Sequence, residues 1–247
     1  MDREKRYTMT RKPPIRQEPQ APAISSADEV AQFLEQVQRM PKPAHAGGRR
    51  GRLIFSLDAT MSRQPTWDKA QHLQAEMFHA AAELGGLSVQ LVYYRGFNEC
   101  RASRWVEDPR RLADLMSRID CRGGYTQIGR VLGHIRKQAE QRRVAAAVHI
   151  GDACEENMDE LAQKAGEIAL LGVPVFMFQE GYDPVAAAAF SEIARITGGA
   201  HCRFDEGSAA QLKELLSAIG TFAAGGLVAL EQRTDRGARL LLENLRR

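Results

Sequence analysis

A chain of 247 residues, 44% apolar and 26% charged, is long enough for one sizeable α/β domain with appendages and a buried core. The formal net charge of +3 belongs to residues 1–50, where ten Lys/Arg face six Asp/Glu; the nearly neutral remainder argues against a nucleic-acid surface on the folded body. No apolar run approaches the roughly 18–20 residues of a bilayer span, which excludes a transmembrane helix.

In chain order, residues 1–24 mix charges with Pro13, Pro14, Pro19 and Pro22, and have too little apolar content to offset ordering; a flexible tail is expected. The charged start is unlike a secretory signal, and four scattered cysteines without a C-x-x-C pair read as free thiols, so the expected location is cytoplasmic. Residues 25–48 hold a short amphipathic helix, with Ser26 as its cap and Val30, Phe33, Leu34 and Val37 as its stripe, followed by a Pro/Gly linker.

A regular pattern runs through 49–224. Leu53–Leu57 reads as a buried strand and Thr66–Leu84 as a helix stopped by Gly85 and Gly86. Leu87–Tyr94 is a strand with a hairpin return over Cys100–Val106, then helices follow at Pro109–Ile119 and Gln127–Gln141. Strand Val144–Ile150, helix Met158–Leu171, strand Val173–Phe178, helix Pro184–Thr197, strand His201–Phe204 and helix Ala209–Ala223 complete the body. Residues 225–247 form a Leu-rich extension. Alternating strands and helices predict a Rossmann-like three-layer α/β/α sandwich, its sheet mostly parallel with one antiparallel edge strand.

In such sheets ligands collect outside the carboxyl ends of the strands, where strand order reverses. Asp58 and Asp152 each end an apolar strand. If the two strands are adjacent, the carboxylates converge and repel, and a hard cation relieves that repulsion. Asp58-Ala-Thr60-Met-Ser62 adds oxygen donors at alternate positions, suited to Mg²⁺ or Mn²⁺ rather than to a thiophilic metal. Gly123 and Gly124 lead into Tyr125-Thr126-Gln127, where Thr126 stands at a helix entry. Taken singly, Asp58, Thr126 and Asp152 also read as ordinary helix or loop caps.

In order, D-A-T-M-S, G-G-Y-T-Q-I-G and a strand ending in G-D resemble the metal-ion-dependent adhesion site of von Willebrand factor type A domains. The departure is Thr60 where serine is commoner, and it keeps the hydroxyl. The resemblance implies that Asp58, Thr60, Ser62, Thr126 and Asp152 hold Mg²⁺ or Mn²⁺. It also implies a protein-interaction module rather than an enzyme, with one coordination position left for a partner's Asp or Glu. A ring ATPase or chaperone partner is an expectation by analogy alone.

Two other classes compete. A haloacid dehalogenase-like phosphotransferase also uses an aspartate after its first strand, but Met61 replaces the expected glycine and no lysine stands at a motif-like loop. In the other, a structural subunit with a vestigial metal site, the amphipathic ends would do the binding. His72, Glu76 and His79 share a helix face as zinc ligands would, but opposite the apolar stripe, where solvated side chains are the rule. Cys154 reads as an apolar filler, Glu155 and Glu156 as complements to a helix dipole, and Tyr93, Tyr94 and Trp105 as packing residues.

Overall fold

The computed structural model describes residues 51–63 and 87–204, together with positions 32, 214, 216–221 and 223. The expected tail, linker, C-terminal extension and helix Thr66–Leu84 lie outside the described residues, as does the N-terminal helix apart from residue 32.

Strand β1 spans Gly51–Asp58 and leads into a single 3₁₀ turn, Met61–Arg63. Strands β2 (Leu87–Arg95) and β3 (Glu99–Ala102) form the hairpin. Helix α1 (Pro109–Met116), helix α2 (Ile128–Gln141), strand β4 (Ala146–Gly151), helix α3 (Met158–Leu170), strand β5 (Val175–Glu180), helix α4 (Pro184–Thr197) and strand β6 (His201–Phe204) follow. The sheet order is β3-β2-β1-β4-β5-β6, parallel throughout except for edge strand β3.

Period-two alternation along β1 divides the core. Leu53, Phe55 and Leu57 join Leu112 and Met116 of α1, and Leu216 and Ile219, on one face. Ile54 joins Ile128, Val131 and Ile135 of α2, Leu161 of α3, and Phe190 and Ile193 of α4 on the other. Each such side chain contributes about 1.5–3 kcal/mol on burial, so the two apolar faces supply the main stabilisation.

Local signals explain the helix starts. Asp108 accepts Arg110 N at 2.9 Å, Asn157 accepts Asp159 N and Glu160 N at 2.9 and 3.2 Å, and Asp183 accepts Ala186 N at 2.6 Å. Gly198 ends α4 with φ 69°, where a Cβ would be strained. The hairpin return is shorter than its apolar pattern predicts. Ser103 Oγ takes the Leu91 amide, and Val106 rejoins only as a lone bridge to Val89.

The chain steps outward from β1 to β2 and β3, then crosses back to place β4 on the other side of β1. Strand order therefore reverses between β1 and β4, and Leu57 pairs with Ile150 there.

Candidate functional site

Asp58 is the last residue of β1 and is fully buried. Its Oδ1 accepts Thr60 N at 2.7 Å and its Oδ2 accepts the Tyr94 hydroxyl at 2.9 Å. Burial pushes its carboxyl up to about 6, against the pull of the Thr60 and Tyr94 hydrogen bonds and with help from the neighbouring Asp152 charge.

Asp152 follows the end of β4 directly. A Cβ added to Gly151 would stand 3.5 Å from Asp58 Cβ and 3.0 Å from His149 Nε2, so the two strand ends meet closely and glycine leaves the space. Asp152 Oδ1 is buried with no hydrogen-bond partner among the described residues. Such an orphaned carboxylate oxygen is costly unless something else satisfies it.

Thr60 and Ser62 lie in the turn after β1, their hydroxyls 3.1 Å apart. Next comes Arg63, fully buried and ion-paired with Glu180 at the end of β5. Burial lowers its pKa while Asp152 and Asp58 pull it back up, and Gln179, the residue before Glu180, pairs with Gly151, the residue before Asp152.

The third loop, 121–127, is stitched to the other two. Arg122 N donates to Ala59 O at 3.0 Å, tying it to the turn after β1. Thr126 N donates to Glu155 Oε2 at 2.8 Å, and Thr126 Oγ1 accepts Glu155 N at 3.1 Å, tying it to the loop after β4. Glu156 accepts Ile128 N, and Gly129 N at 2.9 Å. Gln127, at the N-cap of α2, makes no side-chain capping bond, so a carboxylate from another loop does the work. Gly124 is required because any Cβ there would overlap the Gly96 carbonyl, and Gln127 Nε2 donates to Gly96 O at 3.2 Å.

Beneath the rim, Ser56 Oγ donates its proton to Val148 O at 2.9 Å, so its 3.0 Å contact with His149 Nδ1 must be donated by the ring. His149 Nε2 is then a buried lone pair without a partner among the described residues. Burial, and secondarily the Arg63 charge, hold this histidine neutral, down to about 3.

No protein-family model and no curated protein matches the chain. Among solved structures it is similar to a von Willebrand factor type A protein from Catenulispora acidiphila, with TM-score 0.56 and 16% identity over 69% of this chain and 42% of that one. The VWA domain of SpRpn10 gives TM-score 0.54 and 10% identity, covering 67% of this chain and 95% of that one. An aerotolerance-related membrane protein from Bacteroides fragilis gives TM-score 0.53 and 15% identity, covering 67% and 98%. The fold is that of a von Willebrand factor type A domain. The chain spans less than half the length of the Catenulispora protein.

On this VWA fold, the five residues singled out by sequence fall in three loops that hydrogen bonds hold together at one sheet edge. The capping readings of two of them fail. Asn157, not Asp152, caps α3, and the Thr126 hydroxyl serves Glu155 N rather than its own helix. Asp58 does accept Thr60 N, so local turn stabilisation is part of its role. Glu155 and Glu156 differ from expectation, since they serve the start of α2 and not of the helix that follows them.

Sequence reasoning missed three members of the rim. Tyr94 reads from sequence as a packing residue, yet its hydroxyl reaches Asp58; the available signal is its place opposite Asp58 at the end of the neighbouring strand. Arg63 and Glu180 carried no signal, because nothing local marks a charged residue for burial. Cys154 is buried and its thiol is pushed up by burial, the opposite of a reactive thiolate. None of the four cysteines is in a disulfide. His72, Glu76 and His79 lie outside the described residues.

The donor set fits a hard divalent ion. Among the described residues, no three His, Cys, Asp or Glu side chains group as metal ligands, so an ion held here would need hydroxyl oxygens as well. What converges is two carboxylates with hydroxyls, one carboxylate oxygen being orphaned.

Proposed function

We propose that this chain is a protein-interaction module that holds Mg²⁺ or Mn²⁺ through Asp58, Thr60, Ser62, Thr126 and Asp152 and takes an Asp or Glu side chain of a partner there. The observation that carries this reading is the buried Asp152 Oδ1, without a hydrogen-bond partner among the described residues, beside Asp58 on adjacent central strands. When bound, the ion would supply Lewis acidity toward one further hard anionic oxygen. The chain's own residues do the rest. Tyr94 and the Thr60 amide orient Asp58, and Glu155 fixes the Thr126 backbone and hydroxyl.

The surroundings suit a macromolecular partner better than a small substrate. Met61, Phe97 and Tyr125 are exposed large apolar residues. Met61 lies between Thr60 and Ser62, and Tyr125 precedes Thr126 and meets the Phe97 ring edge-on at 5.4 Å. Exposed aromatics beside a polar anchor are the composition of interface hot spots. The likeness to VWA structures supports a protein partner in general, and a ring ATPase or chaperone remains an analogy.

Isothermal titration of the purified chain with MgCl₂ and MnCl₂, followed by affinity capture with Mg²⁺ or EDTA, tests the proposal. Metal uptake, with capture that EDTA reverses and Thr126→Ala abolishes, is the expected result. Capture unaffected by EDTA and by Thr126→Ala would reject it.

A further inference from the structure

The largest fully buried side chain among the described residues is not apolar. It is Arg63, the residue that follows Ser62. A guanidinium does not shed its proton inside proteins, so a buried one needs anions close by. Arg63 has Glu180 as an ion-pair partner. Gln179, the residue before Glu180, pairs with Gly151, the residue before Asp152, so the ion pair reaches from the turn after Asp58 to the strand end beside Asp152, and both aspartates attract the cation. Its backbone is fixed by the bond from Arg63 N to Thr60 O at 3.1 Å, so the cation is anchored to the turn that presents Thr60 and Ser62.

This placement has an electrostatic consequence. Without a counter-charge, ionised Asp58 and Asp152 on neighbouring strand ends repel in a poorly solvated place. A fixed guanidinium in the same neighbourhood relieves that repulsion permanently. It also opposes any second cation drawn to the same carboxylates. Glu180 acts in the contrary sense, pairing with Arg63 and restoring negative charge to the rim.

We propose that Arg63 is a resident counter-cation, which keeps the aspartate rim assembled in the metal-free protein and lowers the rim's affinity for a divalent ion, with Glu180 setting the strength of that effect. The inference rests on the metal reading of the same rim. Arg63 is a positioning residue here, acting through Asp58 and Asp152.

The test uses the full-length chain, MgCl₂ and MnCl₂ titrated calorimetrically, and thermal melts in EDTA. Glu180→Gln weakens metal binding about tenfold, because it removes a negative charge and leaves Arg63 more available to the aspartates. Adding Arg63→Met to Glu180→Gln reverses this. The double variant binds metal about tenfold more tightly than Glu180→Gln alone, and in EDTA it melts at a lower temperature than Glu180→Gln. The double variant guards against the single Arg63→Met failing to fold once the Glu180 charge has lost Arg63.

If the natural chain binds metal and the double variant binds no more tightly than Glu180→Gln, this inference is overturned while the metal reading stands. Should only the variants lacking Arg63 bind metal, the arginine replaces the ion outright, which upholds the counter-cation and overturns the metal reading. Absence of metal binding in every chain tested overturns both.

Discussion

The middle of β1 and its carboxyl end are equally hidden from solvent and are built on opposite principles. Leu53 to Leu57 is packed by apolar neighbours on both faces of the sheet, apart from Ser56 with its bond to Val148 O. One residue further, Asp58 is just as buried, yet its surroundings are Tyr94, Asp152 and Arg63. The first region gains free energy from water exclusion, and the second spends part of that gain to hold charges where solvent cannot screen them. Burial therefore does not by itself distinguish core from site. What distinguishes them is whether the buried atoms are satisfied, and at the rim Asp152 Oδ1 has no hydrogen-bond partner among the described residues.

The contrast can be tested hardest in the apolar region. Phe55→Ala removes a fully buried ring from one face, and a loss of about 3–5 kcal/mol is expected from the cavity left behind. Urea denaturation should give the same loss in Mg²⁺ and in EDTA, because the ring takes no part in the rim. A loss that depends on metal would mean that the two regions are not separable.

Asp58→Asn works in the other direction. Its pKa, raised to about 6, means that the fold disfavours the ionised form, so metal-free stability at neutral pH should rise by about 2–3 kcal/mol. The same variant should lose the Mg²⁺-induced rise in melting temperature. A variant that is destabilised in EDTA would show that the carboxylate is a structural cap before it is anything else.

Glu156→Gln probes how the rim is held. Losing the charge that serves Ile128 N and Gly129 N should cost about 1–2 kcal/mol. Hydrogen exchange should accelerate in residues 123–129 while β1 and β4 stay protected. Uniform acceleration would place the clamp in the global fold rather than in the loop.

The smallest effect is a slope with pH. His149 is held down to about 3 in the fold, against an ordinary value near 6.5; below that ordinary value the unfolded chain binds a proton that the folded one refuses, and stability falls as pH drops. Asp58 is held up to about 6 against 3.8; between those values the folded chain binds the extra proton, so stability falls as pH rises. The two slopes oppose each other across roughly pH 4–6. In EDTA the natural chain should show little dependence there, Asp58→Asn a gain with rising pH, and His149→Gln a fall with rising pH. Each slope is at most about 1.4 kcal/mol per pH unit.

Much of this molecule was legible from residue order alone. Strand and helix periods, the Pro and Asp starts of α1 and α4, and the Gly198 stop are properties of the backbone within a few residues, so β6 and α4 fall at the bounds their patterns predict. Alternation then forces a parallel sheet, and a parallel sheet carries Asp58 and Asp152 to one edge, with Thr60 and Ser62 behind the first of them. Tertiary structure alone decided that Arg63 is buried against Glu180, that Tyr94 reaches Asp58, and that Glu155 and Glu156 serve a helix start about thirty residues earlier in the chain. Periodicity reports which way a backbone repeats. Whether a polar side chain is dry, and which distant group answers it, depends on what packs around it after the chain has closed.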